Sequence, residues 1–178
     1  QNTSGNTWTA VYTADANDTD GAVSYSIAFS DTAGNAGSAV TSGSGSVTTD
    51  TTAPTLSGVS ISSNNESNTL AKAGDDVTLT FTASESISTP TVTFASGGSS
   101  INGNVTVQNT SGNTWTAVYT ADANDAAGSI TFNISFRDST GNTGTAITAT
   151  TDGTNVTTDT TAPTLSNVSM LQIIVPLR

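Results

Sequence analysis

The stretch GSITFNISFRDSTGN, residues 128–142, decides the fold class because apolar and polar residues alternate along it. The apolar residues stand two positions apart, as Ile130, Phe132, Ile134 and Phe136. Successive side chains of a β-strand point to opposite faces of the sheet, so this period of two predicts a strand with one buried and one solvent-exposed face. Strands with a single buried face are typical of antiparallel sheets.

An earlier stretch, GAVSYSIAFSDTAGN at residues 21–35, carries the same alternation 107 positions before. The residues between its apolar positions differ from those of the later stretch, whereas the apolar positions stay apolar, as Val23, Tyr25, Ile27 and Phe29. This is the difference expected between a buried face, where apolar residues are required, and a solvent-exposed face, where they are not.

The alternation belongs to an internal duplication with a period of about 107 residues. QNTSGNTWTAVYTADAND at residues 1–18 recurs unchanged at 108–125, and TTDTTAPTLS at 48–57 recurs at 157–166. Self-similarity at a fixed period is the sequence signature of a repeated structural unit.

We interpret the two TTDTTAPTLS phrases as junctions between units, because Pro54 and Pro163 each interrupt a continuous strand. Residues 54–162 are then one complete unit, and residues 1–53 are the C-terminal half of a preceding unit. Residues 163–178 begin a following unit and leave the pattern in the tail MLQIIVPLR. We therefore expect the chain to be part of a longer repetitive protein.

Further alternating runs predict the remaining strands of the complete unit. They are DVTLTFTAS, TVTF and TWTAVYT, and the clusters of Gly, Asn, Asp, Ser and Pro between them predict turns. Roughly six to eight short strands in one unit indicate an immunoglobulin-like antiparallel β-sandwich. The sequence therefore predicts an all-β fold in tandem repeats of about 107 residues, with Trp115 and Tyr119 as core anchors.

The segment 1–53, as half of a sandwich, is predicted to expose unpaired strand edges and an open core. We expect it to be unstable alone unless the apolar tail or another chain completes it. The tail holds the apolar run MLQIIVPL, which is far too short to span a bilayer.

The charge composition limits the kinds of partner that the chain can bind. The 178 residues include 14 acidic and three basic ones, which gives a formal net charge of −11. Such a charge repels a phosphate backbone and an anionic membrane surface, so we expect neither nucleic-acid binding nor membrane insertion. Cations are the natural partners of this field.

Catalysis is not expected, because the chain contains no His and no Cys. The usual base-activated nucleophiles and zinc sites with nitrogen or sulfur ligands are therefore excluded. Asp75 and Asp76 are adjacent, so they diverge and cannot flank a substrate as a glycosidase pair does. We predict no catalytic residue and no enzymatic activity.

The acidic residues concentrate in predicted turns. Asp31 and Asp138 open the loops DTAGN and DSTGN, and Asp50 and Asp159 lie in the two junction phrases. Where such loops meet a junction at one end of a sandwich, the converging oxygens suit Ca²⁺, which takes six to eight oxygen ligands. The alternative is that each Asp only caps its own turn through hydrogen bonds to the backbone.

The motifs AGDDVTLTFTASESI, FRDSTGN and TTDTTAPTLS together resemble the tandem bacterial immunoglobulin-like (Ig-like) repeats of large surface adhesins and related extracellular fibres. In that family the Asp before TAP and the Asp of the DxxGN loop commonly contribute to interdomain Ca²⁺ binding, and a GD loop is also present. The metal ligands that the resemblance implies are Asp31, Asp50, Asp75, Asp76, Asp138 and Asp159. Because the tail departs from the pattern after the second junction, a complete calcium site is expected near Asp50.

The resemblance implies a structural function at a bacterial cell surface. The module would extend and stiffen an extracellular adhesin stalk, with neighbouring repeats of the parent chain as its partners and calcium-rigidified junctions between them. One alternative is a carbohydrate- or surface-binding sandwich that contacts glycans or ice through its Thr-rich outer faces. Another is a decoration domain of a viral tail fibre, which shares the fold.

Overall fold

The computed structural model describes residues 1–171, and the regular secondary structure in this range consists of β-strands. No helix long and apolar enough to cross a membrane occurs among these residues. The all-β prediction is therefore confirmed. Residues 172–178 of the tail lie outside the described range, so the predictions that concern them stay predictions.

The strands are short and separated by turns. In chain order they are β1 (Asn2–Ser4), β2 (Thr7–Trp8), β3 (Gly21–Ala22), β4 (Thr48–Thr49), β5 (Leu56–Ser63), β6 (Leu70–Ala71), β7 (Asp76–Ala83), β8 (Thr91–Ser96), β9 (Ser99–Ser100), β10 (Thr106–Ser111), β11 (Thr114–Thr120), β12 (Gly128–Ser135) and β13 (Thr157–Thr158). We call the unit from β5 to β13 the sandwich, and residues 1–53 the N-terminal segment.

The first sheet of the sandwich joins β10, β11, β7 and β5 in that order, and each neighbouring pair is antiparallel. In β7 the sequence DVTLTFTA places Val77, Leu79 and Phe81 on the inner face, where all three are fully buried. The threonines between them lie on the outer face and are half-buried. Since burial of one such apolar side chain stabilises a fold by roughly 1.5–3 kcal/mol, the inner face of β7 is a main source of stability.

The second sheet has the order β6, β13, β12, β8, β9. Its centre is β12, the strand of the alternating stretch 128–142, which pairs antiparallel with β8 and places Phe132 opposite Phe94. The four apolar residues of this alternation are all buried. The burial that their spacing predicts is therefore confirmed.

The two sheets enclose one hydrophobic core. The rings of Phe94 from the second sheet and Tyr119 from the first have their centroids 5.0 Å apart. Trp115 is 8% exposed and Tyr119 is 1% exposed, so their predicted role as core anchors is confirmed. Among the described residues, the buried side chains of this core lie between Val59 and Val156.

The N-terminal segment has strand pairing but no core. β1 pairs with β2, and β3 pairs with β4 at the positions that correspond to the pairing of β12 with β13. Trp8 is nevertheless 71% exposed, although its counterpart Trp115 is buried. No strand within residues 1–53 corresponds to β5 or β7, the strands that complete the first sheet beside Trp115. The division into half a unit, a complete unit and the start of another remains a prediction.

Candidate metal site

Three carboxylates come together at one end of the sandwich. Asp50, Glu85 and Asp138 each place one oxygen atom within 4.8 Å of the oxygen atoms of the other two. Asp50 lies between β4 and β5, Glu85 follows β7, and Asp138 follows β12. Asp138 is buried and the other two are half-buried. We call these three residues the acidic cluster.

Hydrogen bonds hold the three chain segments at the same place. The Thr55 N–H donates to the Ser84 hydroxyl at 3.0 Å, and the Ser84 N–H donates to the Thr55 carbonyl at 2.9 Å. On the other side, the Ser88 N–H donates to the Arg137 carbonyl at 2.9 Å. Glu85 is thereby fixed between the segments that carry the other two members of the acidic cluster.

The DSTGN loop presents Asp138 in a fixed orientation. Its Oδ1 atom accepts hydrogen bonds from the N–H groups of Thr140, Gly141 and Asn142 at 2.9, 2.6 and 2.9 Å. Gly141 has a φ of +108°, a conformation that L side chains rarely adopt. The Asn142 Nδ2 atom donates to Asp138 Oδ2 at 2.8 Å and to the backbone carbonyl of Asp50 at 3.0 Å. Asn142 therefore links this loop to the junction.

A glycine allows the junction to pack closely on the second sheet. Pro54 is fully buried, and a Cβ atom on Gly144 would lie 2.8 Å from the Pro54 carbonyl oxygen. The same Cβ atom would overlap the ring of Phe136. Contacts this short are not tolerated between a Cβ atom and backbone, so the absence of a side chain at position 144 lets the junction approach.

The acidic cluster is electrostatically unfavourable by itself. Burial raises the pKa of Glu85, and the negative charges of Asp50, Asp138 and Asp20 raise it further. Within the described residues, the one ion pair forms elsewhere. No basic side chain of residues 1–171 therefore neutralises the acidic cluster.

Asp138 remains a carboxylate in spite of its position. Burial raises its pKa, but the hydrogen bonds from the side chains of Asn142 and Thr140 and from the loop backbone outweigh this effect and lower the pKa overall. An ionised Asp138 at neutral pH is a ready ligand for a cation.

Asp20 is a fourth acidic residue that acts on the acidic cluster. Its Oδ1 atom accepts hydrogen bonds from the N–H and the hydroxyl of Thr51 at 2.6 and 2.8 Å, and its Oδ2 atom accepts one from the hydroxyl of Thr52. The bond from Thr52, followed by those from Thr51, lowers the pKa of Asp20. Asp20 therefore orients the chain directly after Asp50 and adds negative charge at the junction.

Asp31 and Asp159 lie outside the acidic cluster and cap their own turns. Asp31 Oδ1 accepts hydrogen bonds from the N–H groups of Ala33 and Asn35 at 3.0 and 2.8 Å. Asp159 Oδ1 accepts one from the N–H of Thr161 at 2.9 Å. Both contacts match the turn-capping alternative.

Of the four Asp residues in the DxxGN loops and the junction phrases, the acidic cluster contains Asp50 from the first junction and Asp138 from the second loop. Asp50 lies with Asp138, because the chain before Pro54 contacts the loop of the sandwich that follows it. The acidic cluster is nevertheless found at the first junction, where the sequence places the complete site.

Asp75 and Asp76 have partners of their own. Asp75 accepts hydrogen bonds from Lys72 Nζ at 2.9 Å, from the Lys72 N–H at 2.9 Å and from Asn65 Nδ2 at 2.6 Å. These bonds, those from Lys72 foremost, lower the pKa of Asp75 to about 2. Asp76 accepts a hydrogen bond from the Thr120 hydroxyl at 2.7 Å. Asp75 stabilises its own turn, Asp76 bonds across to the neighbouring strand β11, and neither belongs to the acidic cluster.

Sequence reasoning missed Glu85 as a member of the acidic cluster and Asp20 as its neighbour. Glu85 stands just beyond the DVTLTFTA strand, and nothing in the local sequence shows which loops lie at the same end of the fold. A usable signal is how far each acidic residue lies along its strand. The loops after β7 and β12 lie at the same end of the fold, where Ile87 forms a β-bridge with Asp138.

The donors of the acidic cluster fit a hard divalent cation. All three are carboxylate oxygen atoms. Carboxylate oxygens are typical ligands in Ca²⁺ sites, whereas structural zinc sites are built mainly from His and Cys, which the chain lacks. The arrangement could therefore hold a metal ion.

No family model, no curated protein and no solved structure matches this chain. The fold and the site together define an all-β protein, with two sheets around one core and an acidic cluster that could bind a metal ion at one end.

Proposed function

We propose that this protein is a structural module of a long extracellular surface protein, made of tandem immunoglobulin-like sandwiches that Ca²⁺ stiffens at their junctions. The observation that carries the proposal is the origin of the acidic cluster. Asp50 precedes Pro54, whereas Glu85 and Asp138 follow it within the sandwich. A single ion at this place contacts residues on both sides of the junction.

The chain's own residues prepare the junction for the ion. Asn142 holds the Asp50 carbonyl, and Asp20 holds the N–H of Thr51 at 2.6 Å. When bound, Ca²⁺ supplies the positive charge that the three carboxylates lack. Their mutual repulsion then becomes attraction to a common centre, which restricts bending between the N-terminal segment and the sandwich.

The immunoglobulin-like and tandem character is supported by two observations. Two sheets of mainly antiparallel strands pack around one core, and identical sequence segments recur 107 and 109 positions apart. The extracellular location and the adhesin stalk rest on the resemblance of the three motifs and on the net charge of −11. Neighbouring repeats are the partners that this function requires.

Thermal unfolding and X-ray scattering in Ca²⁺ and in EDTA test the proposed function. We expect Ca²⁺ to raise the Tm and to make the particle more extended and less variable in length. Glu85→Gln should abolish both responses, whereas Asp152→Asn should keep them, because Asp152 only caps a turn through Thr154. A Tm and a particle length that are the same in Ca²⁺ and EDTA would contradict the proposal.

A second candidate, a surface-binding module, is favoured by threonines on the outer face of the first sheet. Thr116 pairs with Thr80 and Thr114 with Thr82, and the hydroxyl oxygens of the second pair are 3.3 Å apart. Such an array of hydroxyl and methyl groups suits a glycan or an ice surface. Retention on a glycan array or on ice that is lost in a Thr80→Asp, Thr116→Asp variant would favour this function, and no retention by the unaltered chain would exclude it.

A further inference from the structure

Most sheet edges of the sandwich are short or covered. In the second sheet the edge strands β6 and β9 contain two residues each. In the first sheet one edge is β5, which the chain between β12 and β13 covers. There the Thr151 N–H donates to the Val59 carbonyl at 2.8 Å. The Ile61 N–H donates to the Thr154 hydroxyl at 3.0 Å. The remaining edge of the first sheet is β10.

The strand β10 has a long edge with no partner strand. Its six residues, Thr106–Ser111, span about 20 Å and pair with β11 on one side. Within residues 1–171, no hydrogen bond reaches the backbone of β10 from outside β11. The strand also contains no Pro and no charged side chain, the residues that commonly block pairing at an exposed edge. This edge is therefore open to a further strand.

The free backbone groups of this edge belong to Val107 and Asn109. Along an antiparallel pair, residues that exchange backbone hydrogen bonds alternate with residues that do not. The Ala83 N–H donates to the Asn113 carbonyl at 2.9 Å, so the odd-numbered residues of β11 direct their backbone groups to β7. The even-numbered residues of β11 direct theirs to the even-numbered residues of β10. The N–H and C=O groups of Val107 and Asn109 consequently point away from the sheet.

The residue between them, Gln108, lies on the outer face of the first sheet. It is opposite Thr116 of β11, whose neighbours on both sides are buried in the core. The side chain of Gln108 is exposed. A strand added at this edge would therefore place one of its own side chains directly beside Gln108.

The distribution of charge favours a second copy of this chain as the added strand. Residues 86–121 contain no charged side chain, although the net charge of the chain is −11. This stretch includes β8, β9, β10 and β11. Elsewhere the acidic side chains of two copies repel each other, whereas two β10 edges can approach without such repulsion. A basic partner would be attracted to the acidic loops instead of to this edge.

We propose that β10 pairs antiparallel with β10 of a second copy, about a twofold axis at Gln108. Val107 of each copy then lies opposite Asn109 of the other, and each such pair exchanges both of its N–H···O=C hydrogen bonds. The first sheets of the two copies become one continuous sheet. Because both copies use the same surface, the contact is closed and stops at a dimer. The pairing uses no residue of the acidic cluster and does not rest on the function proposed above.

The pairing of one molecule with another is weak, because the edge is short. A strand of this length does not bury the roughly 1,200 Å² that stable interfaces need. We expect a Kd on the order of 0.1–1 mM. If the chain belongs to a protein of tandem repeats, several such edges act together, and their combined affinity is much higher. The contact would then join neighbouring fibres side by side.

An introduced cysteine tests the pairing directly, since the chain contains no Cys. Gln108 and its copy form a non-hydrogen-bonded pair, in which the Cα atoms are about 4.5 Å apart, a distance that a disulfide can bridge. Under mild oxidation at about 0.5 mM chain, Gln108→Cys should form a disulfide-linked dimer at least about tenfold faster than Thr131→Cys. Thr131 is a suitable control because it is exposed on the outer face of β12, in the other sheet.

Sedimentation equilibrium up to about 1 mM chain measures the reversible pairing. The average mass should rise toward that of a dimer, equally in Ca²⁺ and in EDTA. Gln108→Glu places two negative charges directly opposite each other and should raise the Kd at least about threefold. Thr131→Glu adds the same charge to the other sheet and should change the Kd less than about twofold. An equal mixture of Gln108→Glu and Gln108→Lys should associate more strongly than either variant alone.

The proposal is overturned if Gln108→Cys cross-links no faster than Thr131→Cys, or if Gln108→Glu associates as strongly as the unaltered chain. Growth beyond a dimer would contradict a closed contact. Association that is lost in EDTA would place the contact at the acidic cluster and would also overturn the proposal. Failure of Ca²⁺ binding leaves the expected pairing unchanged, so this proposal and the proposed function fail separately.

Discussion

Asp50 and Asp138 place carboxylate oxygens within 4.8 Å of each other from opposite sides of Pro54. The contact is reinforced by Asn142, which belongs to the loop of Asp138 and donates a hydrogen bond to the Asp50 carbonyl at 3.0 Å. A hydrogen bond from a side chain to the backbone thus holds together segments whose carboxylates repel each other. A cation bound at this place would stabilise the fold, because it would remove a repulsion that the fold otherwise maintains.

Glu85→Gln should stabilise the chain in EDTA at pH 7. The pKa of Glu85 is raised in the folded state, by burial first and by neighbouring carboxylates second. A group with a raised pKa contributes stability that is present below its unfolded pKa and lost as the pH rises through its folded pKa. The Tm of Glu85→Gln should therefore exceed that of the unaltered chain at pH 7, and the difference should vanish below about pH 4. Equal Tm values at pH 7 would show that the acidic cluster carries no net repulsion.

Phe136→Ala and Phe29→Ala form a matched pair that measures how much the packing of each phenylalanine side chain stabilises its segment. Phe136 is 4% exposed, and its counterpart Phe29 is 54% exposed. We expect Phe136→Ala to lower the free energy of unfolding of the sandwich by about 3–5 kcal/mol, and Phe29→Ala to lower it by less than about 1 kcal/mol. Urea titrations check this prediction. Equal losses would mean that the N-terminal segment is packed into the same cooperative unit.

Asp75→Asn should destabilise the sandwich in a pH-dependent way. Hydrogen bonds from Lys72, and then from Asn65, lower the pKa of Asp75 to about 2. A lowered pKa contributes stability above the unfolded value that is lost as the pH falls through the folded value. Asp75→Asn should therefore cost about 2 kcal/mol at pH 7 and little at pH 2.

The contribution of the Lys72 side chain to this turn can be separated. Its side chain is 67% exposed, so the ion pair is screened by water. Lys72→Met should cost less than about 1 kcal/mol, because Asp75 keeps its bonds from the backbone N–H of Lys72 and from Asn65. A larger loss than in Asp75→Asn would contradict the assignment of the turn to these hydrogen bonds.

Amide hydrogen exchange should separate the N-terminal segment from the sandwich in dilute solution. The N–H groups of β7, β11 and β12 are in ladders over a buried core and should exchange only through global unfolding. Those of residues 1–53 should exchange much faster, since the apolar face of that segment is open to water. Uniformly strong protection across residues 1–53 in a monomer would contradict this description.

The strands were predictable because their signal is local. A period of two identifies one face of β7 and one face of β12 as buried before any partner strand is known. In the structure each of these two predicted faces is buried. Asp50 and Asp138 were candidates because each lies in a short motif, but the same motifs also contain Asp159 and Asp31, which lie outside the acidic cluster. Glu85 was not, because its place beside them depends on which loops the paired strands bring to one end. The resemblance implied that Asp75 is a metal ligand, but in the structure the cation that contacts it is the side chain of Lys72, three residues earlier.

Calorimetric titration of Ca²⁺ into the EDTA-treated and dialysed chain tests the central claim most directly. The acidic cluster should bind one Ca²⁺ per molecule in the unaltered chain and in the Asp152→Asn control. Glu85→Gln should remove this binding or weaken it at least about tenfold, since one of three carboxylate ligands is lost. Absence of binding in the unaltered chain, or equal binding in Glu85→Gln, would contradict the account.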